Sequence, residues 1–201
     1  MRSGDGSNVT PSRLLLIPPL RHRDDRGWFS ETYSARRLAA LGIDCRFPQE
    51  NQSFSARAGT VRGLHFQHPP SAQAKLVSCL AGRILDYVAD IRVGSPTFGK
   101  SMAVELTDAG EQLFIPIGFA HGFVTLVDET TVSYKVSAPY DPATEDGIAW
   151  NDPDLGIDWP LPAGGAILSD KDGRLGPLSL LQSPFAYEGS GPLVLESLPT
   201  G

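Results

Sequence analysis

Arg83-Ile84-Leu85-Asp86-Tyr87-Val88-Ala89-Asp90-Ile91-Arg92-Val93 is the stretch whose reading decides the fold. Its apolar and polar residues alternate, but imperfectly, and Gly82 and Gly94 bracket it as turn formers. A strand buried on one face and lining a polar cavity on the other accommodates both the apolar and the charged members. Outward from it, further strands are expected over Ala74 to Leu80, Ser101 to Leu106, Glu111 to Ile115, Gly122 to Val127 and Thr130 to Val136. Gly99 and Gly110 fall in the intervening turns.

The rest of the chain supports a β architecture. The 21 glycines and 17 prolines are spread at intervals, as in a chain of short strands joined by many turns. No long stripe of period 3.6 appears. One short helix is expected over Ala35 to Leu41, with Ser34 as its N-cap and Gly42 as its stop. Nor is there a glycine-rich strand-to-helix loop of the dinucleotide or nucleoside-triphosphate type. The pattern favours an antiparallel sandwich or a barrel. The expected class is all-β: a cupin-like jelly-roll barrel with short peripheral helices.

At 201 residues the chain is expected to form one domain, 1–201, with a loose leader over 1–11 and an extended tail over 182–201. The formal net charge of -6 argues against a nucleic-acid polymer as partner, although local cations can still hold a small anion. Cys45 and Cys79 lack CxxC spacing and read as two reduced, partly buried thiols, with a single disulfide as the alternative. No apolar run precedes Pro11 and none reaches membrane-spanning length, so a cytoplasmic protein is expected.

Four histidines concentrate the chemical interest. His65 lies in Arg62-Gly63-Leu64-His65-Phe66-Gln67, and His121 in Pro116-Ile117-Gly118-Phe119-Ala120-His121-Gly122-Phe123. Each is a polar ring among apolar neighbours, readable as a hydrogen-bonded core residue or as an acid–base group. Arg62 and His65 are three apart and would face opposite ways in a regular strand, but Gly63 permits a bend toward one cavity. His68, before two prolines, reads as a loop residue, and His22, in the charged run Arg21 to Arg26, as solvated. A metal site is weakly signalled, because no two histidines stand one residue apart. Lys75 can face a forming oxyanion or sit on a sheet edge. Tyr134 can donate a proton or be a half-buried aromatic.

Eight ordered segments sharpen this picture. They are Asp25-Arg26-Gly27-Trp28-Phe29-Ser30-Glu31, Gln49-Glu50-Asn51-Gln52-Ser53-Phe54-Ser55, the His65 segment and Gly94-Ser95-Pro96-Thr97-Phe98-Gly99-Lys100. The His121 segment follows, then Tyr134-Lys135, Trp150-Asn151-Asp152-Pro153 and Ser169-Asp170-Lys171-Asp172. Together they resemble the dTDP-4-dehydrorhamnose 3,5-epimerase family. The resemblance implies a cofactor-free, metal-free isomerase acting on a dTDP-4-keto-6-deoxyhexose in deoxysugar biosynthesis. His65 would be the base beside the C4 ketone, Asp172 its partner and Tyr134 the proton donor at C5, with Lys75 and His121 at the C4 enolate. Arg26, Glu31, Gln49, Asn51, Arg62, Glu145 and Lys171 would contact nucleotide, diphosphate or sugar. Arg26 and Phe29 would reach a neighbouring subunit's site in a homodimer. Relatives that invert C3 alone, in unusual-deoxysugar (antibiotic) pathways, form the nearest alternative. A non-catalytic sugar-nucleotide binding protein is the other, and it would not need a His65–Asp172 pair.

Overall fold

The computed structural model describes residues 12–189 and 191–199; the leader expected over 1–11 lies outside them. In chain order the elements are β1 Leu14–Ile17, β2 Arg21–Asp24, β3 Gly27–Ser30, α1 Ala35–Ala40, β4 Gln49–Ser55, β5 Val61–Gln67 and β6 Lys75–Ala81. They continue with β7 Arg83–Asp90, β8 Ser101–Thr107, β9 Gln112–Ile115, β10 Phe119–Thr125, β11 Thr130–Val136, β12 Glu145–Gly147 and β13 Leu195–Ser197. A six-stranded sheet runs β13-β1-β9-β6-β11-β4, a five-stranded sheet β12-β5-β10-β7-β8, and β2 and β3 form a separate hairpin.

The expected strands appear, with edges moved for visible reasons. β7 stops at Asp90 because that carboxylate accepts from the backbone and guanidinium of Arg92 and from the hydroxyls of Ser95 and Thr97. Side-chain acceptors that capture nearby donors end a ladder by offering a turn instead. β10 starts earlier than expected, its Phe119 pairing with Asp90 and its Ala120 with Ala89. The short helix forms over Ala35–Ala40, one residue shorter than read because Leu41 is its C-cap, with the Ser34 hydroxyl accepting from the Arg37 amide as expected of the N-cap.

Alternation along the strands builds three apolar layers. Val77, Leu113, Ile115 and Val132 from the larger sheet meet Ile84, Val88, Val104, Leu106, Phe119 and Phe123 from the smaller one. That layer is the core between the sheets. The outer face of the smaller sheet, with Val61, Leu64, Tyr87, Ala120 and Val124, is covered by Ile148, Leu155, Trp159 and Leu178. The outer face of the larger sheet packs Leu15, Ile17, Leu76 and Phe114 against Leu38 of α1 and Ile43. The C-terminal stretch returns to this body: Leu193 is buried in the central layer, and β13 pairs in parallel with β1.

The barrel expectation is corrected. Neither sheet closes: β4 and β13 are the edges of one, β12 and β8 of the other, and the β1–β13 pair makes the larger sheet mixed rather than purely antiparallel. A barrel needs an unbroken ladder around its circumference. Between the edges β4 and β12 lies a polar cavity lined by both, so the ladder is open where the cavity opens. The two cysteines are free, and burial, with other contributions, pushes both thiols up to about 11.

Candidate active site

The cavity, about 470 Å³ in volume, lies at one end of the interface between the sheets. β5 supplies it through an irregularity. Val61 and Leu64 pack into the outer layer, whereas Arg62, His65 and Gln67 line the cavity. A regular period of two would not place 62 and 65 on one side. The register with β10 slips between the pairs Phe123–Arg62 and His121–His65, and Gly63 sits at the slip with φ +115°. A Cβ on Gly63 would lie 2.6 Å from the Gly122 Cα and the His121 carbonyl oxygen, so two glycines let the strands touch there. The bend expected at Gly63 therefore exists, and it sets His65 directly across the ladder from His121.

His65 meets Asp172 at 2.5 Å between Nε2 and Oδ1. Asp172 is buried on a short 3₁₀ turn, 107 residues further along the chain, and its second oxygen accepts from the Ser169 hydroxyl at 2.9 Å. Burial opposes ionisation of this carboxyl. The His65 contact, the Ser169 bond and the Lys171 charge outweigh it, so Asp172 is held below the usual carboxylate range. With Nε2 donating to Asp172, Nδ1 of His65 keeps the basic lone pair.

Lys75, at the start of β6, is buried and donates to the His65 carbonyl oxygen at 3.2 Å. Burial lowers its ammonium to about 8, against the pull of Asp86 and Glu145. Tyr134 on β11 stands opposite Asn51 of β4 and lines the same space, its phenol pushed up by burial. His121 donates to or accepts from Asp86 through Nε2 at 2.8 Å. Burial raises Asp86 and lowers His121, while their contact acts the other way on each.

The mouth is polar. Glu145 of β12 accepts from Lys171 at 2.7 Å and from the Tyr140 hydroxyl at 2.8 Å. Arg62 donates to the Phe54 carbonyl at 3.0 Å and to the Ser55 hydroxyl at 3.3 Å. Gln49 donates to Asn51 at 2.8 Å, and its amide oxygen accepts from the Tyr140 backbone at 3.0 Å.

Ten of the thirteen residues singled out from sequence thus line one cavity: His65, Tyr134, Asp172, Lys75, Gln49, Asn51, Arg62, His121, Glu145 and Lys171. Arg26, Phe29 and Glu31 do not. Arg26 and Phe29 lie in the β2–β3 hairpin, where Arg26 pairs with Asp24 and Phe29 is 70% exposed. Sequence reading missed Asp86, Tyr140, Gln67 and Gln73. Asp86 had a signal: it is the polar residue between Ile84 and Val88 on the core-facing side of β7. Gln67 had one too, standing two residues after His65 on β5 and so on the same side of the strand, whereas Tyr140 and Gln73 lie in loops with no local pattern. Among the described residues no three His, Cys, Asp or Glu side chains group as a metal site.

A histidine against a held carboxylate, a buried lysine and a phenol around one polar cavity between two sheets have the make-up of a proton-transfer isomerase. The dTDP-4-dehydrorhamnose 3,5-epimerase family model matches residues 11–179. The chain is 46% identical to the Sinorhizobium fredii dTDP-4-dehydrorhamnose 3,5-epimerase, over 90% of this chain and 92% of that protein. It is 44% identical to the Streptomyces niveus dTDP-4-dehydrorhamnose 3-epimerase, over 78% of this chain and 75% of the relative. The crystal structure of the Bacillus anthracis 3,5-epimerase with TDP and PPi bound superposes with a TM-score of 0.76 at 46% identity, covering 79% of this chain and 90% of that one. The chain belongs to the dTDP-4-dehydrorhamnose 3,5-epimerase family, and it is an isomerase of dTDP-sugars.

Proposed function

We propose that the cavity epimerises a dTDP-4-keto-6-deoxyhexose at C3 and C5 with the residues gathered around His65. The observation that carries this reading is the His65–Asp172 contact opening on the same space as Lys75 and Tyr134. The C4 ketone acidifies the C–H bonds on either side, so the reaction needs a base and a stabilised enolate but no change of oxidation state. Nδ1 of His65 takes the C3 proton, and the C3–H electron pair moves into the C3–C4 bond as the carbonyl oxygen gains charge. Asp172 steadies the imidazolium. The Lys75 ammonium and His121 hold the enolate oxygen, a charge that would be costly in a buried site without them. A proton exchanged from solvent then reaches C3 from the opposite face and inverts it, and His65 gives its own proton up to solvent before it acts again. At C5 the same enolisation recurs: His65 takes the C5 proton on one face, the Tyr134 phenol gives its own proton on the other, and solvent restores both groups.

Arg62 and Lys171 serve the diphosphate, for which arginine's planar fork is well suited. The exposed hairpin fits a homodimer, in which Arg26 and Phe29 reach the partner's cavity rather than their own. The open edge of β4 offers a surface for that pairing. Glu31, exposed beside the hairpin, belongs to the same contact.

Incubation with dTDP-4-keto-6-deoxyglucose in deuterated water, read by NMR, tests the reading. Deuterium at C3 and C5 with both centres inverted is expected. Exchange confined to C3 would assign the chain to the 3-epimerases, and no exchange with tight binding would make it a sugar-nucleotide binding protein.

A further inference from the structure

Three glutamines, Gln49 on β4, Gln67 on β5 and Gln73 in the loop before β6, converge on four consecutive residues, Ala138 to Asp141. Gln73 donates to the Ala138 carbonyl at 2.8 Å. Gln67 donates to the Pro139 carbonyl at 3.2 Å and accepts from the Asp141 amide at 2.9 Å. Gln49 accepts from the Tyr140 amide at 3.0 Å. Gln67 is 3% exposed, and its amide nitrogen also donates to the Ser71 carbonyl at 2.6 Å. A buried primary amide that finds partners for both its ends is fixed in one orientation, because losing either bond strands a desolvated group. Carbonyls and amides of an irregular segment would otherwise be left to water.

The segment so held carries one large side chain toward the cavity. Tyr140 is 50% exposed and lines the mouth, and its hydroxyl donates to Glu145, which is paired with Lys171. The acid–base groups His65, Lys75 and His121 are buried or half-buried, whereas Tyr140 stands at the opening. A dTDP-sugar with its ketosugar beside His65 must therefore present its nucleotide end to Tyr140.

We infer that Gln49, Gln67 and Gln73 form a clamp that positions Tyr140 at the cavity mouth, and so set affinity for the nucleotide end of the substrate rather than the rate of proton transfer. The inference rests on the proposed reaction only for the direction in which substrate enters. Gln67 and Gln73 are positioning residues: they act on the ligand through the backbone of 138–141. The Gln49 amide oxygen belongs to this clamp as well, beyond the nucleotide or sugar contact expected of it.

Binding of dTDP by calorimetry, together with steady-state kinetics, tests the clamp in Gln67→Met and Gln73→Met, singly and in a Tyr140→Ala background. Each single variant is expected to weaken dTDP binding and raise KM about 5-fold, the scale of one lost net hydrogen bond, with kcat within about twofold. In the Tyr140→Ala background the same changes should have little further effect on dTDP binding. Should Gln67→Met fail to fold, Gln73→Met, whose amide is only half-buried, carries the test alone. Unchanged dTDP affinity in the variants would overturn the clamp, as would full additivity with Tyr140→Ala or a fall in kcat at constant KM. An unmodified protein that binds dTDP but exchanges no sugar proton would overturn the reaction instead, and leave the binding comparison intact.

Discussion

Two histidine–aspartate pairs face each other across the β5–β10 ladder, and they are built for different work. In His65–Asp172 the ring is 22% exposed to the cavity, and the carboxylate comes from a distant turn with its second oxygen satisfied by Ser169. In His121–Asp86 both partners lie within the smaller sheet, the side chains are 7% and 0% exposed, and one buried Asp86 oxygen has no hydrogen-bond partner among the described residues. The same contact has opposite consequences for charge. Asp172 is held ionised below the usual range, whereas burial lifts Asp86 above it. A carboxylate kept ionised beside an accessible ring supports a base that must become positive. A buried pair that resists charging fixes the orientation of its ring and leaves the positive charge of the site to Lys75.

The largest effect separating the pairs is expected at His65. His65→Asn should lower C3 exchange by about 10³- to 10⁴-fold, the upper range for a general base, and a variant exchanging at a hundredth of the normal rate or faster would demote it. Asp172→Asn should cost about 10²- to 10³-fold in kcat, since the ring remains but loses its anionic support. Tyr134→Phe is expected to be selective. NMR should show C3 deuterium persisting while C5 inversion falls about 10²-fold, and equal loss at both positions would place the phenol elsewhere in the mechanism. Asp86→Asn should cost least, about 10-fold in kcat, because it disturbs how His121 is aimed and removes one of two carboxylates that support the Lys75 charge, while His65 and Asp172 stay in place. If it matched Asp172→Asn, the contrast between the pairs would collapse.

Acidity offers a further way to sharpen the contrast. The Lys75 ammonium is lowered to about 8, so its charge is present below that pH and is lost as pH rises through it. Stabilisation of the enolate should fade with it, giving kcat/KM an alkaline limb near 8 in the free enzyme. Asp172→Asn should leave that limb in place, and Lys75→Arg should move it upward. A profile flat to pH 10 would remove the lysine cation from the reaction.

How much of this was legible in sequence follows from how each feature is made. Strands β6 to β11 could be read because they are short, largely buried apolar runs that glycines and other turn formers punctuate. β4 could not: Gln49 to Ser55 is a polar edge strand whose inner side faces the cavity, so it has no apolar stripe. The hairpin β2–β3 was hidden in a charged run, because both its faces are largely exposed. Barrel closure was the misreading. Alternation within strands reports which face is buried but says nothing about whether the last strand pairs with the first. The His65–Asp172 partnership followed from the family resemblance, not from local pattern, since 107 residues separate the two. Asp86 was written in the sequence as the polar break in an apolar face, and only its nearness to His121 gave it a role.

Deuterium uptake at C3 of the bound ketosugar, by the unmodified enzyme and by His65→Asn, measured at matched dTDP affinity, tests the account at its centre. The unmodified enzyme should label C3 on the turnover timescale, and the variant should bind dTDP normally yet leave C3 protiated. Rapid C3 labelling by a correctly folded, dTDP-binding His65→Asn protein would contradict it.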